Sequence, residues 1–248
     1  GSDMLRVEVK PELLRWACER AGFDTAEVAE RIPQLAAWER GEAKPTLKQL
    51  EHFARTVHAP VGSFFLQTPP VEQIPIPDFR TVGNEHIGHP SPDLLETIYI
   101  CQQRQEWYRD YARSIGETTA PFVGSVTLND DIPTVAARMR QALGFDLDAR
   151  RRMRTWEEAL RQFIELADDS GVMVMVNGVV GSNNHRKLDP EEFRGFTLSD
   201  PLAPLVFING SDTKSAQMFT LAHEMAHVWL GETGLSDVEP VWSPTNRI

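Results

Sequence analysis

The chain has 248 residues, 41% of them hydrophobic and 25% charged, which excludes wholesale disorder and leaves room for one large domain or two small ones. Lys and Arg number 25 against 36 Asp and Glu, a net charge of −11. That balance leans against nucleic acid as the main partner, because affinity for phosphates rests on a basic face that displaces counterions. No apolar run reaches the ~20 residues of a membrane span, and no secretory leader is legible. Cys18 and Cys101 each sit in an amphipathic helical pattern and read as buried thiols in a reducing compartment, so a cytoplasmic protein without a membrane partner is expected.

Leu13, Leu14, Ala17, Cys18 and Ala21 recur at helical spacing, and Gly22 is placed to stop that helix. Asp24 followed by Glu27 reads as a capping box opening a second helix that reaches Ile32. Pro45-Thr46 starts another, with Leu47, Leu50, Ala54 and Val57 on one face. The run closes at Phe64-Phe65-Leu66, so residues 5–68 are expected to form a small all-helical domain, about the size of a helical DNA-binding module. Residues 1–66 hold 9 basic and 10 acidic side chains, without the basic excess of a DNA reader.

Prolines then crowd the chain as far as Pro92, with Pro69-Pro70 and the alternation Ile74-Pro75-Ile76-Pro77. They forbid helix and favour an extended path, so residues 69–92 read as a linker laid along a surface. Asp78-Phe79-Arg80 is expected to pin it by an ion pair, since an idle linker has no use for Phe79. A long helix follows over 93–115, carrying Leu94, Leu95, Ile98, Tyr99 and Trp107, and two more lie near 132–143 and 156–168. Residues 172–176 and 205–208 read as short buried strands, and a last helix covers 213–230. Helices and strands in separate blocks make residues 93–248 an α+β domain. Trp16, Trp38, Trp107 and Trp156 are expected to anchor cores.

The chemistry is expected in that last helix, at His223-Glu224-Met225-Ala226-His227. Residues i and i+4 of a helix share a face, so two imidazoles can each bring a nitrogen to about 2.0–2.1 Å from one zinc ion. Glu224 flanks the open position, where a carboxylate can take a proton from the attacking water and deliver it to the leaving amine. A chain of this length meets the pattern by chance on the order of once in a hundred. Phe219, Leu221, Ala222, Ala226, Val228 and Leu230 surround it, and an apolar helix rarely keeps such polar groups without a partner.

A third protein ligand is not legible. Leu230 and Thr233 stand where a metzincin would carry Gly and His, which excludes that class. Glu232 and Glu239 remain, both in a stretch that reads as loop, Glu239 directly before Pro240. Other candidates are weak. His86 and His89 lie in the proline-rich loop, His185 in a turn, His52 and His58 at a helix face, and Arg150-Arg151-Arg152 with Arg154 reads as a solvated basic cluster. No glycine-rich phosphate loop and no Ser or Cys nucleophile in a recognisable setting is present.

Over nearly all of residues 5–248 the chain resembles the ImmA/IrrE family of bacterial metallopeptidases, in the branch with a helix-turn-helix module ahead of the peptidase domain. The resemblance rests on Trp38-Glu39-Arg40-Gly41, Lys44-Pro45-Thr46-Leu47, Ile76-Pro77-Asp78-Phe79-Arg80-Thr81, Phe193-Arg194-Gly195-Phe196 and Gln217-Met218-Phe219-Thr220-Leu221-Ala222 leading into the zinc motif. It implies a zincin-like α+β fold with zinc held by His223 and His227, and Glu224 as general base. It also implies a Glu third ligand on a later helix. Nothing here matches that segment, so the natural protein is expected to continue past Ile248, and the fragment as written is expected to bind zinc weakly and to be inactive.

Relatives of this family cleave helix-turn-helix repressors in stress responses and mobile elements, which makes such a repressor the implied substrate. Between Val28-Ala29 and Trp38 the helix-turn-helix is shorter than the repressor pattern, and Pro33 stands where the recognition helix should begin. The primary expectation is therefore a zinc endopeptidase acting on a regulatory protein, with the strand at 205–208 binding substrate by edge pairing. The alternative is a non-enzymatic transcription regulator or antitoxin that uses its N-terminal domain to bind DNA or a partner protein.

Overall fold

The structure, a computed structural model, describes residues 5–81, 84, 88–144, 148 and 152–237. The chain divides into two compact units, Gly1–Gln73 with Gly88–Leu95 and Ile74–Ile87 with Glu96–Ile248. In the first, α1 (Pro11–Ala21) ends at Gly22, whose φ of 68° lies in the left-handed region where glycine meets no steric penalty. Asp24 caps α2 (Thr25–Arg31) by accepting from the Ala26 N–H. A five-residue α3 (Leu35–Glu39) turns Leu35 and Trp38 inward. A full capping box opens α4 (Leu47–Thr56): Thr46 Oγ1 accepts from the Gln49 N–H and Gln49 Oε1 from the Thr46 N–H.

A single 3-10 turn, Val61–Phe65, closes the unit. Its core is Leu13, Leu14, Ala17, Trp38, Leu50, Phe53 and Phe64. The Phe53 ring lies 5.3 Å from Phe64 and 6.4 Å from Trp38. Leu47, read as part of the buried face, is 41% exposed. As the first helical residue it sits at the rim, and Phe53 fills the core in its place.

The second unit is an α+β arrangement. Helices α5 (Pro92–Ser114), α6 (Ile132–Leu143) and α7 (Trp156–Asp169) precede β1 (Met173–Asn177). A hairpin of β2 (Val179–Val180) and β3 (Asn183–Lys187) is followed by β4 (Gly195–Leu198), β5 (Leu205–Asn209), α8 (Lys214–Leu230) and β6 (Gly234–Ser236). The main sheet has the order β1-β5-β4-β6, with β1 parallel to β5 and β4 antiparallel to both neighbours. On one face Val206 and Ile208 meet Leu221, Met225 and Val228 of α8 and Leu160 and Phe163 of α7. On the other, Phe196 and Phe207 stand opposite each other in register with ring centroids 5.0 Å apart, and Phe193 stacks beside them.

Several expectations need correction. Residues 205–208 do not form an edge: β5 is flanked by β1 and β4 and buried throughout, as a nearly continuous apolar run requires. Substrate cannot add to it. Trp107 is 67% exposed and Trp156 40% exposed, so neither anchors a core. Trp107 instead stacks on Tyr111 one turn along α5, ring centroids 5.8 Å apart. His185 lies on β3 rather than in a turn. His86, Arg150, Arg151 and Glu239 lie outside the described residues. Both cysteines are buried and free, and burial pushes the Cys18 thiol up to about 11 and the Cys101 thiol up to about 12, values that keep them unreactive. Among the described residues no helix is long and apolar enough to cross a membrane.

Candidate active site

Helix α8 is positioned at both ends by local chemistry. Thr213 Oγ1 accepts from the Ala216 N–H at its start. At its end Gly231 adopts φ 69°, its N–H donates to Val228 O, and the next N–H, from Glu232, donates to His227 O. This is the paired closure of a Schellman motif. Gln217, Thr220, Leu221, Glu224, Met225 and Val228 are buried, whereas Phe219, Ala222, His223 and His227 form the open stripe. The i, i+4 spacing therefore places both imidazoles on the accessible side, and Glu224 faces the sheet.

The two histidines converge. His223 Nε2 lies 3.0 Å from His227 Nε2, and the rings meet nearly edge to face. Burial, with the neighbouring His227, holds His223 below its ordinary range and favours the neutral ring. On its other nitrogen, His227 Nδ1 lies 3.2 Å from Glu232 Oε2. A proton on Nδ1 shared with that carboxylate leaves Nε2 as a lone pair aimed at the point the two rings share. Glu232, weighed in the sequence as a third ligand, thus stands behind a histidine rather than beside it, because the Schellman turn carries it past the helix end.

Glu224 is wholly buried. Thr197 Oγ1, on β4, donates to Glu224 Oε2 at 2.6 Å, while Glu224 Oε1 has no hydrogen-bond partner. Ser236 Oγ, from β6, approaches the carboxyl closely enough to favour its charged form but completes no well-formed hydrogen bond. Burial dominates and pushes Glu224 up to about 8, against the pull of Thr197 and Ser236. Gly195 permits this approach. A Cβ there would lie 2.6 Å from Phe207 O and 2.8 Å from Thr220 Cγ2, so any side chain would wedge α8 off β4.

The proline-rich segment completes the site. Leu235 N–H donates to Pro77 O and Phe79 N–H to Leu235 O, both at 2.9 Å, so residues 77–79 run beside β6. Arg80, its side chain without solvent exposure, forms a two-nitrogen pair with Asp78 at 2.9 and 2.8 Å. Burial opposes the Asp78 charge, but the Arg80 hydrogen bonds and cation outweigh it and hold the carboxyl below the usual range. Thr81 donates from its N–H and Oγ1 to Asp237, and Asn84 Nδ2 donates to the same carboxylate. The expected ion pair forms, but within the segment itself; the hydrogen bonds to Leu235 and Asp237 do the pinning, and Phe79 stacks on His227 with centroids 5.5 Å apart and planes 12° from parallel.

Two imidazole nitrogens 3.0 Å apart suit a cation within coordination distance of both, and the unpaired buried Oε1 of Glu224 lacks a counterpart that such chemistry would supply. His223 and His227 thus fit a zinc ion as two of its ligands. Among the described residues no group of three His, Cys, Asp or Glu is placed to hold a metal.

Residues 167–244 match the family model for the IrrE N-terminal-like domain, peptidase family M78. The match supports the ImmA/IrrE resemblance and a peptidase-related domain over this segment. It takes in every strand, all of α8 and the histidine pair. Residues 5–68 lie outside it. No curated protein and no solved structure matches the chain.

Sequence reasoning missed Thr197, Ser236 and the placement of Glu232. Thr197 had one available signal: a lone hydroxyl between Phe196 and Leu198, on the strand face opposite theirs. Ser236 had none, since the three-residue β6 is too short to read from periodicity.

Proposed function

We propose that this protein is a zinc-dependent endopeptidase that cleaves a regulatory protein such as a helix-turn-helix repressor. The observation that carries the reading is the convergence of His223 and His227 Nε2, 3.0 Å apart, beside a buried Glu224 with one unpaired oxygen. His223 and His227 would hold the metal, and zinc, when bound, polarises a peptide carbonyl and favours ionisation of water. Glu224 Oε1 takes the proton of the attacking water and returns it to the leaving amine. Thr197 holds Oε2, which leaves Oε1 for the transfer. Glu232 fixes the His227 tautomer.

Residues 5–68 are proposed to recognise the partner protein rather than to read DNA. The helix at the recognition position, α3, has five residues, two of them turned into the core, and the segment carries no basic excess.

The test is cleavage of a helix-turn-helix repressor from the same genome by the full-length protein and by Glu224→Gln. Loss of a proton-transfer group typically costs about 10²–10⁴-fold, and the variant is expected to fall by at least that much. Cleavage at the wild-type rate would overturn the mechanism.

A further inference from the structure

Phe79 is an unusual side chain for a linker. It is 44% exposed, yet the backbone around it is fixed on both sides. Leu235 holds Pro77 and Phe79, the Asp78–Arg80 pair locks the turn, and Asp237 holds Thr81. A residue anchored for core burial would not be left nearly half in solvent. Among the described residues its aromatic partner is the imidazole of His227, in a near-parallel stack of the kind aromatic pairs favour. Gly234 makes the seat: a Cβ at that position would lie 2.1 Å from Phe79 Cε2 and 2.3 Å from Cδ2. No positive φ demands glycine at 234, and the close obstacle is the ring itself.

His227 is therefore held from two directions besides its own helix. Glu232 takes Nδ1, and Phe79 covers the ring face. A hydrogen bond at one nitrogen leaves the imidazole free to swing about that contact. A plane of carbon stacked against it removes the swing.

We propose that Phe79 is a positioning residue that fixes the imidazole plane of His227, keeping Nε2 aimed at the point it shares with His223. The inference rests on the metal-binding reading given above. It gives the proline-rich segment a task at the site, and it makes Gly234 and Phe79 a single device.

The experiment is titration of the metal-free, full-length protein with Co²⁺ against a competing chelator, following the visible absorption of the bound ion. Thermal unfolding of the metal-free variants serves as the control for folding. Loss of groups that orient a ligand typically costs about 10–100-fold in metal affinity, and Phe79→Ala is expected to lose about tenfold with a shifted cobalt spectrum. Phe79→Tyr, which retains the ring, should bind like wild type. Gly234→Ala, which displaces the ring, should resemble Phe79→Ala, and the double variant should be no weaker than either single one. Wild-type affinity and spectrum in a folded Phe79→Ala protein would overturn the inference, as would losses that multiply in the double variant. If Phe79→Ala does not fold, wild-type binding by Gly234→Ala would overturn it. A wild-type protein that takes up no cobalt overturns the metal reading itself and this inference with it.

Discussion

Replacing Glu224 by Gln should make the metal-free protein more stable while destroying its proposed activity. The carboxyl is wholly buried, one oxygen has no partner, and burial raises it from 4.5 to about 8. A carboxyl raised in the folded state stabilises while both states are protonated, and that stability is lost as pH climbs from the unfolded value through the folded one. Every tenfold gain in proton affinity on folding is worth about 1.4 kcal/mol, so wild type should lose about 3–4 kcal/mol from this group between about pH 5 and pH 8. Gln cannot ionise and escapes the loss. Other groups titrate alike in both proteins, so the difference between variants isolates position 224. The assay is urea unfolding of wild type and Glu224→Gln with metal removed by chelator, at both pH values. Near-equality at the lower pH and a marked advantage for Gln at the higher one are expected. A difference that stays flat with pH, or a less stable Gln variant at the higher pH, would refute the argument that burial governs this carboxyl.

Other consequences are open to direct measurement. Gly195→Ala places a Cβ 2.6 Å from Phe207 O and 2.8 Å from Thr220 Cγ2. Overpacking of this kind costs about 1–3 kcal/mol, and denaturant unfolding should show it together with lost peptidase activity as α8 is pushed from Thr197. Phe196 is fully buried in the aromatic stack, so Phe196→Ala should cost about 3–5 kcal/mol in the same assay. Trp107→Ala, at a position 67% exposed, should change stability by no more than about 0.5 kcal/mol.

Whatever depends on local periodicity and punctuation is legible without a structure. The 3.6-residue pattern and the flanking Gly22 and Gly231 locate α1 and α8 to within a residue or two. The i, i+4 histidines announce their shared face. Strand membership is harder: β4 and β6 have four and three residues, too few to establish alternation, so β5 reads as an edge. The polar neighbours of Glu224 come from those same two strands, which is why Thr197 and Ser236 stay invisible. Phe79 stands out because an aromatic residue in a proline-rich linker breaks with its surroundings, but its contact with His227, 148 positions later, depends on the linker running beside β6. Exposure of Trp107 is likewise beyond the pattern, since α5 carries apolar residues on more than one face and propensity does not say which is covered.

The central claim is tested most directly by the zinc content of the purified full-length protein, measured by elemental mass spectrometry in wild type and three variants. About one zinc per chain is expected in wild type and in Glu224→Gln, which keeps both imidazoles, and essentially none in His223→Ala or His227→Ala. A wild-type protein without zinc, or a His227→Ala protein that retains it in full, would contradict the account.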